Sequence, residues 1–230
     1  LLRNLDDADA ALLAQARMSR DVQQRLFAIR TVPFGSLSER LYRVLRNTAR
    51  ELDKRANLEI SGTQVELDRS VLEKLVGPLE HLLRNALDHG VESREARRAA
   101  GKSETGEIAL KVRQVGNEVF IELTDDGAGI DFDRVRERAV TQGLIAPDAR
   151  PTESQLTELL FAAGFTTATR VTQISGRGIG MDVVRNEIGA LGGRVEVTST
   201  RGAGTRFVMT LPLTLAVAQA VMVRAGGRLW

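Results

Sequence analysis

Four polar residues cluster near the end of one predicted helix. A helix is expected from about Arg69 to His89; within it His81, Asn85 and Asp88 are spaced four and three residues apart, so they share one side, with His89 beside them. A solvated helix face is one interpretation. Because Asn, Asp and His are poor helix formers, their clustering at a helix end favours a binding role. The amide oxygen of Asn85 suits Mg²⁺, which accepts one protein ligand besides phosphates and waters.

A second group of candidate residues follows the predicted strand 119–124. The segment from Asp125 to Gly129 contains Gly127 and Gly129, which permit a tight turn and the close approach of a flat ligand. The Asp125 carboxylate, at a strand end, can accept a hydrogen bond from an exocyclic amine. Since aspartate–glycine turns are common, an ordinary turn is the alternative interpretation.

Glycines also precede a helix that is predicted to begin near Met181. Gly176, Gly178 and Gly180 stand before it, and backbone N–H groups at a helix N-terminus bind phosphate. The spacing matches neither a P-loop nor the dinucleotide fingerprint, and a flexible loop is the alternative. A further glycine turn, which ends at Thr205, joins the last two predicted strands and has a structural role by default.

Helices and antiparallel strands must position these residues. Amphipathic spacing predicts helices over 1–30, 36–55, 69–89, 133–142, 155–161 and 181–191. The second helix has a capping box at Ser36 and Glu39, and Asp68 is the expected cap of the third. Strands are expected at 58–60, 65–67, 108–113, 119–124, 195–199 and 205–211. Since these elements do not alternate as strand–helix–strand units, the sequence predicts an α+β fold, a two-layer α/β sandwich with a mixed sheet.

Composition excludes several classes of function. The 230 residues include no cysteine, which rules out disulfides, thiolate metal sites and a cysteine nucleophile. Only two histidines argue against an imidazole-rich metal site, and a net charge of +2 with one Trp and one Tyr gives no support for binding nucleic acid. We expect no membrane insertion and a cytoplasmic location, because no apolar run approaches a membrane span and no signal peptide is recognisable. The missing initiator Met suggests a piece of a longer protein.

The order of these motifs resembles the Bergerat-type (GHKL) ATP-binding domain of histidine kinases, gyrase-type ATPases, Hsp90-type chaperones and mismatch-repair ATPases. More closely, four segments resemble the CheA family of chemotaxis histidine kinases: His81–Gly90, Asp125–Gly129, Phe161–Phe165 and Ser175–Val184. The resemblance covers essentially the whole chain. It implies an autokinase core of a two-component system that transfers the γ-phosphoryl group of ATP to a histidine on a separate phosphotransfer domain.

The resemblance also implies roles for single residues. Asn85 would ligate the Mg²⁺ that bridges the nucleotide phosphates, and Asp125 would bind the adenine amino group. His81 stands where gyrase-type ATPases carry a water-activating glutamate, which favours transfer to an imidazole over hydrolysis. Phe161 and Phe165 match the aromatic motif beside the ATP lid. The other expected nucleotide-binding residues are Asp88, His89, Gly127, Gly129, Arg134, Arg138, Gly176, Gly178, Gly180 and Thr205.

By the same resemblance the chain divides into three parts. Residues 1–33 would be a fragment of a helical dimerisation hairpin, 34–212 the ATP-binding catalytic domain, and 213–230 the start of a CheW-like regulatory domain. The expected partners are the phosphotransfer domain of the same protein, a downstream response regulator, and a CheW-like adaptor with its chemoreceptor array. A homodimer is expected for the full-length protein. Neither His81 nor His89 is expected to be the phosphorylated histidine.

Two other functions remain open at this point. One is an ATP-hydrolysing clamp of the gyrase or mismatch-repair type, which the histidine at position 81 argues against. The other is a scaffold that binds nucleotide without kinase activity. The presence of Asn85, Asp125 and the glycines before Met181 argues against such a scaffold.

Overall fold

A computed structural model describes residues 31–165 and 180–213, with Gln15, Met18 and the short paired strands Arg224–Ala225 and Arg228–Leu229. The helix predicted over 1–30 lies outside the described residues except at those two positions. Gly176, Gly178 and most of the segment after 212 also lie outside them. The division into 1–33, 34–212 and 213–230 therefore stays a prediction.

A five-stranded mixed sheet forms one layer of the fold, in the order β2-β4-β5-β7-β6. Its strands are β2 (Ala56–Ser61), β4 (Gly106–Val115), β5 (Glu118–Asp125), β6 (Arg194–Thr200) and β7 (Gly204–Pro212). The β2–β4 pair is parallel and the other three pairs are antiparallel. The mixed sheet confirms the predicted fold class.

A second, two-stranded sheet lies at the start of the described chain. It pairs β1 (Thr31–Pro33) with β3 (Glu66–Asp68) in antiparallel register. The two strands predicted on either side of Gly62 are therefore found, but they belong to different sheets. Through this pairing, residues 31–33 are held against the chain segment 66–68.

Helices form the second layer. They are α1 (Ser38–Glu51), α2 (Arg69–Asn85), α3 (Arg94–Ala99), α4 (Phe132–Thr141), α5 (Glu153–Leu159) and α6 (Met181–Ala190). The sequence did not predict the short helix α3. The helix expected to reach His89 ends as an α-helix at Asn85 and continues as a π-helical turn, Ala86–Gly90. Such a turn widens the backbone where the polar residues lie.

The core lies between the sheet and helices α1, α2 and α6. Along β4 the inward side chains alternate, with Ile108, Leu110 and Val112 buried, as a half-buried strand requires. Leucines at helical spacing, including Leu75 and Leu79, bury one side of α2 against them. The opposite, polar side of α2 is thereby held at a defined distance from the strand ends.

The two predicted caps had different outcomes. Asp68 caps α2 as predicted, because its Oδ1 accepts from the Ser70 backbone N–H at 2.8 Å. The capping box at Ser36 was wrong: a 3-10 turn, Phe34–Leu37, precedes α1, and its N-cap, Leu37, makes no side-chain cap. Phe34 is completely buried, and the N–H groups of Phe34 and Gly35 donate to the carbonyl oxygens of Val65 and Thr63. These tertiary contacts set the 3-10 turn before α1, in which Ser36 stays exposed and caps nothing.

Candidate functional site

The carboxylate of Asp125 is buried at the end of β5, with 7% of the residue exposed. Its Oδ1 accepts a hydrogen bond from the Gly127 backbone N–H at 2.9 Å. Burial raises the pKa of Asp125 to about 6, although backbone N–H groups of Gly127 and Thr205 favour the charged form, and the neighbouring Asp126 raises it further. Thr205 is the direct partner of Asp125 in the β5–β7 register. Asp125 is thus a poorly solvated hydrogen-bond acceptor, ready for a polar ligand.

The loop after Asp125 contacts the π-helical turn 86–90. The Ala128 N–H donates to the Gly90 carbonyl oxygen at 2.9 Å. A Cβ on Gly127 would lie 2.1 Å from that oxygen, and one on Gly90 would lie 2.9 Å from Asp125 Oδ1. Only glycine fits at position 127, where the contact is with backbone, and a side chain at position 90 would displace the Asp125 carboxylate. Two motifs that are far apart in the sequence therefore form one wall of the site.

The hairpin between β6 and β7 supports the same loop from the other side. Ser199 Oγ accepts from the Ile130 N–H at 2.8 Å, donates to the Gly204 carbonyl oxygen at 3.0 Å, and lies 3.2 Å from Thr205 Oγ1. Gly129 has a φ of +75°, a conformation that favours glycine. The structure thus brings Thr205 and Gly129 to the site. Sequence reasoning missed Ser199; its only signal was its place in the last hairpin.

Asn85 lies at the end of α2, opposite the start of α6. Its Nδ2 donates to the Met181 sulfur at 3.3 Å, and no donor among the described residues bonds to its Oδ1. Gly180 is the N-cap of α6 and has an extended backbone with no side-chain cap. Asn85 can therefore offer an amide oxygen to a hard cation, and the first turn of α6 can offer N–H groups to an anion.

The described residues contain no group of three or more His, Cys, Asp or Glu that could hold a metal ion by themselves. A single amide oxygen fits Mg²⁺ in one particular way, in which phosphates and waters supply the other ligands. The single amide oxygen of Asn85 therefore suits a metal ion whose other ligands are nucleotide phosphates and water.

His81 is half-buried on α2, one turn before Asn85. Burial lowers its pKa, the charges of Arg84 and His89 lower it further, and Asp182 on α6 acts in the opposite direction. The lowered pKa of His81 favours the neutral imidazole, which can accept a proton. Since Asp182 lies in the first turn of α6, its effect on His81 means that this side of α2 is near the start of α6.

The exposed end of the π-helical turn carries Asp88 and His89. His89 Nε2 lies 3.6 Å from Asp88 Oδ2. Lys54 holds this turn from outside, because its Nζ donates to the carbonyl oxygens of Leu87 at 2.6 Å and Asp88 at 2.8 Å. Burial lowers the pKa of Lys54. Sequence reasoning missed this lysine, which carries no motif of its own.

The aromatic and basic candidates come after the Asp125 loop in the sequence. Phe161 is buried in the main core beneath the Arg185 guanidinium, 4.1 Å from the ring centroid. Phe165 packs in a second small cluster, with Val135, Ala139 and Leu156. Arg134 is exposed on α4 and forms no ion pair within the described ranges, and Arg138 is half-buried on the same helix. Their predicted nucleotide-binding roles stay predictions, as do those of Gly176 and Gly178.

Comparison with known proteins supports a nucleotide site. A sequence family described as "Histidine kinase-, DNA gyrase B-, and HSP90-like ATPase" matches residues 74–215. The chain is 42% identical over 210 residues to chemotaxis protein CheA of Bacillus subtilis, which covers 90% of this chain and 31% of that protein. It is 43% identical over 207 residues to chemotaxis protein CheA of Rhizobium meliloti, covering 90% of this chain and 27% of that protein.

The chain thus spans about a third of the length of these curated relatives. Among solved structures, the catalytic domain of histidine kinase ThkA is 16% identical, with a TM-score of 0.49 over 80% of this chain and 94% of that chain. The matched residues 74–215 contain each of the predicted site residues, including His81 and Asn85.

Proposed function

Because the chain belongs to the histidine kinase-, DNA gyrase B- and HSP90-like ATPase family, we propose that it is the catalytic core of a chemotaxis-type histidine autokinase. The reaction transfers the γ-phosphoryl group of ATP to a histidine on a separate phosphotransfer domain. Family membership supports the use of ATP, and the identity to CheA proteins supports the acceptor. The observation that carries the proposal is the buried Asp125 carboxylate in a glycine-lined wall, which the loop after β5 forms with the π-helical turn that directly follows Asn85.

In this proposal Asp125 recognises the adenine base. Its carboxylate accepts a hydrogen bond from the exocyclic amine, which replaces the water that burial removes. Gly127 and Gly129 let the base approach the backbone, and Thr205 lies beside Asp125 in the register. A base that carries a carbonyl at the same position would place two acceptors face to face, so the site selects adenine.

The phosphates would lie between Asn85 and the N-terminus of α6. We propose that Gly180 and the following N–H groups bind phosphate oxygens, and that Gly176 and Gly178 also contribute to phosphate binding. Mg²⁺, when bound through Asn85, would neutralise charge on the β- and γ-phosphates. We propose supporting contacts to the nucleotide from Asp88, His89, Arg134, Arg138 and Phe165.

His81 would act on the acceptor rather than on water. The unprotonated nitrogen of the incoming histidine attacks the γ-phosphorus, a P–N bond forms, and the bond from phosphorus to the bridging oxygen of ADP breaks. A neutral His81 can orient the acceptor by a hydrogen bond or take up its proton. Catalysis then depends on positioning and on fixed positive charge around the phosphates.

Partners follow from the same proposal. We propose that the phosphotransfer domain of the full-length protein is the substrate, that a response regulator takes the phosphoryl group next, and that the full-length homodimer is coupled to a chemoreceptor array by a CheW-like adaptor. Within the described ranges, no helix is both long and apolar enough to cross a membrane.

The decisive experiment supplies radiolabelled ATP with Mg²⁺, this chain and a separately purified CheA-type phosphotransfer domain. We expect label on the acceptor histidine, at least 100-fold less with Asn85→Ala, and a normal level with Asn47→Ala, an exposed asparagine on α1. The proposal fails if the chain binds no ATP. It also fails if ATP is hydrolysed steadily without the acceptor domain and no label reaches the histidine.

A further inference from the structure

Arg97, on the short helix α3, is a fully buried charged side chain that belongs to none of the sequence motifs. Its guanidinium bonds to both carboxylate oxygens of Asp126, at 2.7 and 3.1 Å, and to Glu92 Oε2 at 2.9 Å. It also donates to the carbonyl oxygens of Ser103, at 2.6 Å, and Thr105, at 3.3 Å. Each nitrogen of the guanidinium thus has a partner.

Lys102, just after α3, reaches the same loop. Its Nζ donates to the carbonyl oxygens of Asp126 and Gly127, both at 2.8 Å, and to Glu92 Oε1 at 2.7 Å. Glu92, Arg97, Lys102 and Asp126 therefore form one network, which we call the outer ion-pair cluster.

The outer ion-pair cluster restrains the backbone at Asp126 and Gly127, because Lys102 bonds to the carbonyl oxygens of both residues. Asp126 also receives the Glu107 N–H at 3.0 Å, and its own N–H donates to the Glu107 carbonyl oxygen at 3.2 Å. Asp126 and Gly127 therefore have little freedom to rotate. Asp125 immediately precedes them, and the Gly127 N–H is the donor that orients its carboxylate.

From these contacts we propose that Arg97 and Lys102 are positioning residues for base selection: they hold Asp126 and Gly127 so that the Asp125 carboxylate is aimed at the exocyclic amine of adenine. The inference rests on the proposed function, which assigns adenine to Asp125. Bidentate pairing explains why arginine stands at position 97, because a lysine there would keep the charge and lose the second hydrogen bond to Asp126.

A purely structural role for the cluster makes a different prediction. A buried ion pair that only joins α3 to the sheet would change stability and would leave the choice between bases untouched. A positioning role changes the ratio of affinities for two ligands that differ only at the exocyclic group. The ratio is insensitive to the fraction of unfolded chain, because both ligands bind the same folded molecules.

The test compares calorimetric titrations of ADP and of inosine diphosphate, which carries a carbonyl in place of the amine, with Mg²⁺ at 25 °C. The variants are Arg97→Lys, Lys102→Gln and Asp125→Asn. Arg98→Gln is the matched control, because Arg98 is the next residue on α3, is exposed and pairs only with Glu104 among the described residues. We expect wild type and Arg98→Gln to prefer ADP, and Arg97→Lys and Lys102→Gln to lose that preference by at least tenfold, chiefly through weaker ADP binding.

The outcomes separate the two proposals. If Asp125→Asn abolishes the preference while Arg97→Lys and Lys102→Gln keep it within twofold, the positioning role is wrong and the proposed function stands. If wild type binds ADP no better than inosine diphosphate, the adenine assignment itself is wrong. Should Arg97→Lys fail to fold, Lys102→Gln decides, since the Lys102 side chain is partly exposed and its removal leaves Arg97 paired with Asp126.

Discussion

Asp125 is the residue at which binding and stability oppose each other. Its pKa of about 6 means that the folded chain holds a proton more firmly than the unfolded chain, in which an aspartate has a pKa near 3.8. Between these two values the native state binds more protons, so stability falls as the pH rises through this range. Above pH 6 the buried charge is a net cost to folding, which a bound amine would offset.

The substitution Asp125→Asn should separate the effects on stability and on binding. Removing the buried charge should raise the free energy of unfolding at pH 7 by about 1–3 kcal/mol, and the gain should vanish near pH 4, where the wild-type carboxyl is already neutral. The same variant should bind ADP at least tenfold more weakly. Urea unfolding at both pH values and ADP titration measure the two effects.

Asp133→Asn provides the control for this prediction. Asp133 is an exposed aspartate in the first turn of α4, and its substitution should change neither ADP binding nor the pH dependence. A lower stability of Asp125→Asn than of wild type at pH 7 would mean that the carboxylate is better satisfied in the free chain than its burial indicates.

At the scale of elements, the site depends on backbone segments that touch directly. The loop after β5, the π-helical turn after α2 and the β6–β7 hairpin meet through carbonyl oxygens and N–H groups, with glycine at the contacts. A side chain at such a contact must displace backbone, which adjusts far less readily than a flexible side chain.

The second prediction compares two glycine-to-alanine substitutions. Gly127→Ala would place a Cβ 2.1 Å from the Gly90 carbonyl oxygen and should destabilise the chain by at least about 2 kcal/mol and abolish ADP binding. Gly189 lies at an exposed position of α6, with nothing within 4 Å of an added Cβ, and Gly189→Ala should stabilise the chain by about 0.5–1 kcal/mol.

Thermal unfolding and nucleotide titration of the two variants measure these effects. Normal ADP affinity in Gly127→Ala would show that the loop can move away from Gly90 and that the contact between the two motifs is not required for binding.

How well each element could be predicted depends on how local its cause is. The β4–β5 hairpin and the leucine side of α2 follow from periodicities of two and 3.6 residues, and both were predicted. The capping box at Ser36 was wrong because burial of Phe34, a tertiary effect, decides the turn there. The six-residue helix α3 is too short for a periodic signal, and Arg97 on it looks like an ordinary surface residue in the sequence.

At the scale of the whole molecule, the proposed nucleotide site draws on segments 40 to 120 positions apart, so a nucleotide bound there should couple to global stability. Asn85 belongs to α2, Asp125 to β5 and Thr205 to β7, all of which border one core. A ligand that binds only this folded arrangement stabilises the entire chain by mass action.

The third prediction follows from this coupling. ADP with Mg²⁺ at 100 times its Kd should stabilise the chain by about 2.7 kcal/mol and raise the Tm by roughly 5–10 °C. Without Mg²⁺ the increase in Tm should be much smaller, and Asn85→Ala should remove the difference made by the metal. Scanning fluorimetry measures each case, and an equal increase with and without Mg²⁺ in wild type would contradict a metal ligand at Asn85.

Residue types and spacing were enough to predict most of the helices and strands, the mixed character of the sheet, and candidate residues such as Asn85 and Asp125. These features depend on residue type and on spacing within one segment, and both can be read from the sequence. The folded structure was needed to show that Gly90 and Gly127 are in contact, that Ser199 bonds to the loop after β5, and that Arg97 pairs with Asp126. These are contacts between segments distant in the chain, and they exist because burying one shared core brings the ends of a helix, a strand and a hairpin together.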